Sequence, residues 1–199
     1  MHKRNILKNL KPKELKLRDR NILKESKIIL TNSKGVFSDS LAEHVLLTIL
    51  YFIKKTPYFL ETRKKHRWAP IEVGSTEDLS AAIVGCDNIG YNIAKLLKCT
   101  IRPAILACCN ILEDIKPEHR MLCNCLVTAN EYEQVIRFTD FVICALLKTT
   151  LMHYKEVFRT WETYGKFNMM EKSAIFINIG EGGKVIEDDL VKALKEEVV

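Results

Sequence analysis

The sequence predicts an α/β fold, a doubly wound parallel sheet with helices on both faces. From residue 81 onward, short uninterrupted apolar segments alternate with segments of helical periodicity. Strands that are apolar on both faces are typical of a parallel sheet covered by helices on each side. The chain has 199 residues, 47% of them hydrophobic and 28% charged, which is enough to bury the core of one domain.

The predicted elements follow one another along most of the chain. Strands are expected at residues 27–31, 81–84, 104–109, 141–147 and 174–179. Helices are expected from Ser40 to Lys55 and at residues 88–98, 131–138 and 188–195. Residues 149–170 are expected to hold a further helix and an irregular insertion.

The helix from Ser40 to Lys55 is the longest of these elements. Ser38 or Asp39 is expected to cap its N-terminus, and Pro57 is expected to end it. Its apolar residues form so wide a stripe that the helix should pack against more than one surface. A basic connector, residues 63–70, follows and carries Trp68.

The basic character of the chain is concentrated at its N-terminus. Residues 1–27 contain ten Lys or Arg and three Asp or Glu, although the whole chain has a formal charge of only +6. We therefore separate a basic arm, residues 1–26, from a domain formed by residues 27–199. The arm is expected to be a solvated lead-in. Binding of nucleic acid to the arm is an alternative, but it is not expected because the arm lacks interleaved aromatic residues.

No membrane or exported class is predicted. The longest apolar stretch, residues 45–53, is far shorter than the roughly 20 residues that a membrane-spanning helix needs. The seven cysteines are an odd set that lies mostly in apolar runs, so neither a disulfide framework nor a metal site is expected. These features together predict a soluble, cytoplasmic protein.

The segment between the strand at 81–84 and the following helix reads Gly85-Cys-Asp-Asn-Ile-Gly90. In a Rossmann-like dinucleotide-binding fold this turn is G-x-G-x-x-G, with the middle glycine allowing the backbone to approach the phosphates. Asp87 occupies that middle position, where its carboxylate would crowd and repel a pyrophosphate. The helix start should still offer free N–H groups and its positive dipole end. A purely structural turn is the alternative.

The ribose contact is less clear. NAD-binding folds place an Asp or Glu at the end of the second strand, about 20 residues further on. Here that strand ends at Asn110, which could hydrogen-bond a ribose but would not repel a 2′-phosphate. NAD and NADP therefore both stay open.

Three segments resemble D-isomer-specific 2-hydroxyacid dehydrogenases. Residues 30–44, L-T-N-S-K-G-V-F-S-D-S-L-A-E-H, are similar to the family's V-T-N-x-P-G and following V-A-E. Residues 88–97, N-I-G-Y-N-I-A-K-L-L, are similar to G-N-I-G-x-x-V-A-K-x-L. Residues 176–194, F-I-N-I-G-E-G-G-K-V-I-E-D-D-L-V-K-A-L, are similar to L-I-N-x-x-R-G-x-x-V-x-E-x-x-L-x-x-A-L. The resemblance covers residues 27–199.

The resemblance implies a cofactor domain inserted in a second, substrate-binding domain that is largely absent from this chain. It implies NAD or NADP as cofactor, a 2-hydroxy or 2-oxo acid as substrate, and a homodimer formed through the cofactor domain. The helix from Ser40 to Lys55 is the candidate for that pairing, because its apolar stripe is wider than one sheet face can cover. The residues assigned to the cofactor are Gly85, Asp87, Asn88, Ile89, Gly90, Asn110, Leu146, Ile179 and Gly180.

The pattern departs from the family at the catalytic positions. Glu181 stands where the family has the arginine that binds the substrate carboxylate, so its charge is reversed. The family's catalytic glutamate and histidine belong to segments that would follow Val199. No catalytic residue is therefore assigned, and His44, His119 and His153 are interpreted as ordinary histidines. Impaired catalysis by this chain is expected, and a non-catalytic dinucleotide-binding or dimerising protein is the alternative.

Overall fold

The computed structural model describes residues 35–77, 79–85, 87–100, 105–109, 117–128, 131–146, 164–180 and 185–197. These residues belong to one compact unit, Gly35–Val199. The basic arm, the predicted strand at 27–31, Asn110, Glu181 and most of the predicted insertion lie outside the described residues.

Five parallel strands form one sheet. In chain order they are β1 (Ala81–Val84), β2 (Ile105–Cys109), β3 (Cys125–Thr128), β4 (Phe141–Cys144) and β5 (Ile175–Asn178). Their order in the sheet is β3-β2-β1-β4-β5, and each neighbouring pair is parallel. The order reverses between β1 and β4, which is the doubly wound topology that the sequence predicts.

The described helices connect and cover these strands. They are α1 (Ser38–Ile53), α2 (Thr56–Lys64), α3 (Asn88–Thr100), α4 (Pro117–Arg120), α5 (Tyr132–Ile136), α6 (Tyr164–Phe167) and α7 (Glu187–Lys195). None of them is long and apolar enough to cross a bilayer.

Two apolar layers lie on opposite faces of the sheet, because successive strand residues point to opposite sides. Ala81, Ile83, Phe141 and Ile143 pack with buried residues of α1 and α3. Their neighbours Ala82, Val84, Val142 and Cys144 belong to the other layer, which includes residues of α5, α6 and α7. All eight strand residues are at most 2% exposed, so both faces of the central strands are buried.

β3 is the one strand of the described sheet that the sequence analysis missed. It lies at the edge, next to β2, and its residues are half-buried or exposed. The strand has only four residues, it ends in a threonine, and it is only partly buried. Its sequence therefore contains no apolar run long enough to distinguish a strand from a loop.

The predicted start of α1 is wrong. The residue that precedes the helix is Phe37, and no side chain caps the helix. Ser38 is buried in the first turn, and the Asp39 carboxylate instead accepts a hydrogen bond from Asn92 Nδ2 at 2.7 Å. The first turn of α1 is therefore held against α3 instead of being capped from within.

The predicted end of α1 is also wrong. The helix ends at Ile53, and Lys55 adopts a left-handed conformation with φ of 47°. Pro57 lies in the first turn of α2, where a helix needs no N–H from the residue. The chain therefore bends at Lys55 and continues as a second helix.

The layer around α5 and α6 contains one buried cation. Lys166 is 7% exposed and forms an ion pair with Glu133 of α5. Burial lowers the pKa of Lys166. The pair joins the two short helices across the outer side of this layer.

Candidate dinucleotide-binding site

The carboxyl ends of β1 and β4 lie side by side where the strand order reverses. β1 leads into Gly85, and β4 leads into Ala145 and Leu146. In open α/β sheets the crevice at such a reversal point is where ligands bind. The predicted cofactor turn is therefore placed at the topologically expected position.

Both glycines of the turn are required by close packing. Gly85 has φ of 111°, and a Cβ there would lie 2.9 Å from the carbonyl oxygen of Ala145. A Cβ on Gly90 would overlap the carbonyl oxygen of Gly85 and approach Ile83 Cγ2 at 3.5 Å. These are the roles expected of the first and third glycines of a dinucleotide-binding turn, namely the tight bend and the close helix-to-strand packing.

Asp87 caps helix α3. Its Oδ1 accepts hydrogen bonds from the backbone N–H of Ile89 at 3.0 Å and of Gly90 at 3.3 Å. Its carbonyl oxygen accepts the N–H of Tyr91 at 2.9 Å, which opens the helical hydrogen-bond ladder. The expectation that the helix start offers free N–H groups is therefore wrong for these two amides, because an aspartate in the glycine position binds them itself.

The opposite wall of the crevice is formed where β4 and β5 end. The N–H groups of Ile179 and Gly180 both donate to the carbonyl oxygen of Cys144, each at 3.0 Å. A Cβ on Gly180 would lie 2.6 Å from the carbonyl oxygen of Leu146. Leu146 is itself buried and would lie 3.4 Å, at its Cδ2, from a Cβ on Gly85. The structure thus brings Gly85, Leu146 and Gly180 together.

Asn178 contributes to this wall, although the sequence analysis did not single it out. Its Oδ1 accepts the N–H of Gly180 at 3.1 Å, which forms an Asx-type turn directly after β5. An asparagine two residues before a glycine at a predicted strand end is the signal that could have identified it.

A second ordered turn closes the carboxyl end of β3, on the same edge of the sheet. The N–H and the hydroxyl of Thr128 donate to Glu131 Oε2 at 3.0 and 2.8 Å. These two hydrogen bonds lower the pKa of Glu131. The sequence signal is the spacing T-x-x-E, which is that of a capping box.

The remaining predicted site residues lie at the start of α3 or outside the described residues. Asn88 is exposed at the start of α3, and Ile89 is half-buried. Asn110, Glu181 and His153 lie outside the described residues, as does the side chain of His119. His44 is exposed on α1 and lies in the helix, as an ordinary surface histidine does.

Metal ligands are not clustered in the part of the chain that is described. No group of three or more His, Cys, Asp or Glu side chains comes together there. Of the described cysteines, Cys99 and Cys125 are exposed, Cys123 is half-buried and Cys144 is buried.

Comparison with known families identifies the domain. The family model described as D-isomer specific 2-hydroxyacid dehydrogenase, NAD binding domain, matches residues 46–199. The chain belongs to this family. Its members act on 2-hydroxy acids, and NAD or NADP is the cofactor class, as the sequence resemblance predicts.

Individual relatives agree with this assignment. D-3-phosphoglycerate dehydrogenase of Archaeoglobus fulgidus is 26% identical over 185 residues, which are 89% of this chain and 32% of the relative. The chain thus spans about a third of the length of this curated relative.

Solved structures share the fold at low identity. D-lactate dehydrogenase from Aquifex aeolicus, complexed with NAD and lactic acid, has a TM-score of 0.71 at 18% identity, over 90% of this chain and 51% of that one. A D-isomer specific 2-hydroxyacid dehydrogenase from Xanthobacter autotrophicus, in complex with NADPH and MES, has a TM-score of 0.67 at 17% identity, over 82% of this chain and 48% of that one.

Proposed function

We propose that this chain is the cofactor-binding part of a D-2-hydroxyacid oxidoreductase and holds NAD or NADP in the crevice between Gly85 and Gly180. The observation that carries the proposal is the glycine-bounded turn at the point where the strand order reverses. In dinucleotide-binding folds, the pyrophosphate lies at the N-terminus of the helix that follows such a turn.

The residues around the crevice fit a dinucleotide, with one exception. The backbone of Gly85 and Asn88 would face the pyrophosphate, Leu146 and Ile179 would supply an apolar wall, and Asn110 would face a ribose. When bound, the cofactor supplies or accepts the hydride, and the chain orients it and excludes water. The exception is Asp87, whose carboxylate already accepts the two N–H groups that a phosphate oxygen would use.

Asp87 therefore lowers the affinity for the dinucleotide without removing the site. A bound phosphate would have to displace the carboxylate from the Ile89 and Gly90 amides and would then lie beside a negative charge. We expect binding that is weak and that depends more on the nucleoside contacts than on the pyrophosphate.

The proposed function is tested by substituting Asp87. Asp87→Gly should tighten NADH binding about tenfold or more, since hydrogen bonds to charged groups contribute about 1.5–3 kcal/mol and 1.4 kcal/mol is tenfold. Asp87→Asn, which removes the charge but keeps an acceptor, should give a smaller gain. Calorimetry and NADH fluorescence, each repeated with NADPH, measure the affinities.

Asp188→Asn is the matched control, because Asp188 is an exposed carboxylate in the first turn of another helix, α7. It should leave the affinity unchanged. If neither the natural chain nor Asp87→Gly binds NADH or NADPH at millimolar concentration, the cofactor site is wrong. If both bind equally tightly, the site stands and the effect assigned to Asp87 is wrong.

We expect this chain alone to be impaired in catalysis. In the family, an arginine orients the substrate carboxylate for hydride transfer to the 2-oxo acid. Glu181 stands at that arginine position, and its negative charge would repel the substrate carboxylate. Reduction of glyoxylate or hydroxypyruvate by this chain with NADH would contradict this expectation of impairment.

We also propose that two copies pair through α1 as a homodimer. The helix buries one stripe against the sheet layer, but Leu47 is 63% exposed, and Tyr51 and Phe52 are also exposed. Large apolar side chains exposed together on one helix are typical of a protein interface. We further propose that the chain divides into an arm, residues 1–26, and a domain, residues 27–199. We also propose a cytoplasmic location, which is supported by the exposed free thiols of Cys99 and Cys125.

A further inference from the structure

An exposed carboxylate lies at the carboxyl edge of the sheet, at the end of β3. Glu131 is exposed, and its Oε2 accepts hydrogen bonds from the N–H and the hydroxyl of Thr128, the last residue of that strand. Among the residues that the structure describes, none donates a hydrogen bond to Glu131 Oε1. One oxygen atom therefore holds the carboxylate in place, and the other can accept a hydrogen bond from a ligand.

The pairing of β3 with β2 places this carboxylate beside the end of β2. The two strands are parallel neighbours, and Thr128 is in register with Cys109, the last residue of β2. Adjacent strands lie about 4.8 Å apart. The Glu131 carboxylate, whose Oε2 is 2.8 Å from the Thr128 hydroxyl, is therefore anchored next to the position where the chain leaves β2.

The end of β2 is where a dinucleotide-binding fold contacts the adenosine ribose. In NAD-binding folds an Asp or Glu there accepts a hydrogen bond from the ribose 2′-hydroxyl, whereas in NADP-binding folds a nearby arginine accommodates the 2′-phosphate. In this chain the residue that follows β2 is Asn110, which has no charge. The carboxylate that is missing after β2 is thus present after the neighbouring strand β3.

The sequence around these two strand ends supplies acidic residues and no cation. Residues 110–115, which follow β2, contain two acidic residues and no Lys or Arg, and the same is true of residues 121–136, which include β3 and its turn. The two hydrogen bonds from Thr128 lower the pKa of Glu131, so the carboxylate is ionised at neutral pH. A 2′-phosphate would be repelled by this charge, and neither segment supplies a cation to bind it.

We infer that Glu131 binds the adenosine ribose of the cofactor and selects NAD over NADP. The inference rests on the proposed function, because it concerns the ribose end of the same crevice. The 2′-hydroxyl donates to Oε1 of Glu131, while Thr128 is a positioning residue that holds Oε2. This contact also supplies part of the nucleoside affinity on which binding depends when Asp87 weakens the pyrophosphate contact.

The inference is tested by calorimetric titration of the full chain with NADH and with NADPH. The natural chain should bind NADH about tenfold or more tightly than NADPH, because the carboxylate accepts a hydrogen bond from the first and repels the second. Glu131→Gln should bring the two affinities close together, and Glu131→Arg should reverse the preference. The titrations are repeated with Asp87→Gly, for which the proposed function predicts tighter binding of both cofactors.

The ratio of the two affinities separates a ribose contact from a purely structural effect. A loss of stability in Glu131→Gln would weaken the binding of NADH and NADPH alike and would leave their ratio unchanged. The analogue 2′-deoxy-NAD⁺ lacks the hydroxyl, so it should bind the natural chain and Glu131→Gln about equally well, whereas NAD⁺ should prefer the natural chain.

Glu171→Gln is the matched control, because Glu171 is an exposed carboxylate shortly before β5, at the amino edge of the sheet. Its ratio should equal that of the natural chain. An unchanged ratio in Glu131→Gln, or a natural chain that prefers NADPH, would overturn the inference and leave the proposed cofactor site intact. Failure of both the natural chain and Asp87→Gly to bind either cofactor at millimolar concentration would overturn the proposed function, and the inference with it.

Discussion

Gly85 and Gly90 determine how closely α3 approaches β1. The carbonyl oxygen of Gly85 lies where a side chain on residue 90 would begin, and that of Ala145 lies where one on residue 85 would begin. Both obstacles are backbone atoms, which cannot rotate away as a side chain can.

Gly90→Ala should lower the free energy of unfolding by about 1–3 kcal/mol, the usual range for overpacking a rigid site. Urea denaturation followed by circular dichroism measures this. Gly165→Ala is the control, because Gly165 is exposed in α6 and alanine favours a helix. A Gly90→Ala chain as stable as the natural one would show that the turn is looser than described.

The Glu131 carboxylate makes the stability of the folded chain depend on pH. Its pKa is lowered in the folded chain by the two hydrogen bonds from Thr128, so the folded state favours the ionised form. The resulting stability is present above the ordinary pKa of 4.5 and is lost as the pH falls through the lower value of the folded state.

Glu131→Gln keeps an acceptor but cannot ionise. The natural chain should therefore melt at a higher temperature than Glu131→Gln at pH 7, and the two melting temperatures should converge as the pH falls through the lowered pKa of Glu131. Glu187→Gln, at the start of α7, is a control for loss of an exposed carboxylate. A difference that persists unchanged at low pH would mean that the charge of Glu131 is not its source.

The helix ends show what can and cannot be predicted from local sequence. The strand β1 and the start of α3 were predicted correctly because an apolar run and a glycine turn mark them directly. The start of α1 was not, because Ser38 is an ordinary capping residue whose burial depends on the rest of the fold. The same holds at Asp87, where the spacing predicts the turn but not that the carboxylate binds the helix amides.

The left-handed residue at the end of α2 gives a prediction for this element. His66 occupies a position where glycine has no steric penalty, whereas other residues lose roughly 1–2 kcal/mol there. His66→Gly should therefore raise the free energy of unfolding by up to about 1 kcal/mol. Lys65→Gly, at a residue with φ of −85°, should instead lower it. If both variants shift stability in the same direction, the backbone conformation is not the cause.

At the scale of the whole molecule, the topology was predictable and the assembly was not. Uninterrupted apolar strands separated by helices predict a parallel sheet, and the five described strands are parallel, in the order β3-β2-β1-β4-β5. The edge strand β3 escaped because its burial is partial. The wide apolar stripe of α1 predicted that the helix packs against a second surface. The identity of that second surface does not follow from the sequence of one chain.

The proposed dimer is tested at this scale. Leu47→Glu should shift the natural chain from dimer to monomer in sedimentation equilibrium, because it places charges across an apolar contact. Val191→Glu, at a residue of α7 that is 46% exposed, is the control and should leave the mass unchanged. A natural chain that is monomeric at 100 µM, or a Leu47→Glu variant that still dimerises, would contradict the proposal.

The cap formed by Asp87 also determines how the domain responds to its solvent. Many helix starts of this kind gain stability from inorganic anions, because phosphate or sulfate binds their open amides. In this domain, the Asp87 carboxylate already binds the amides of Ile89 and Gly90 that such an anion would bind. Its melting temperature should consequently be the same in phosphate as in an uncharged buffer of equal ionic strength, whereas removal of that one carboxylate should make the fold sensitive to phosphate.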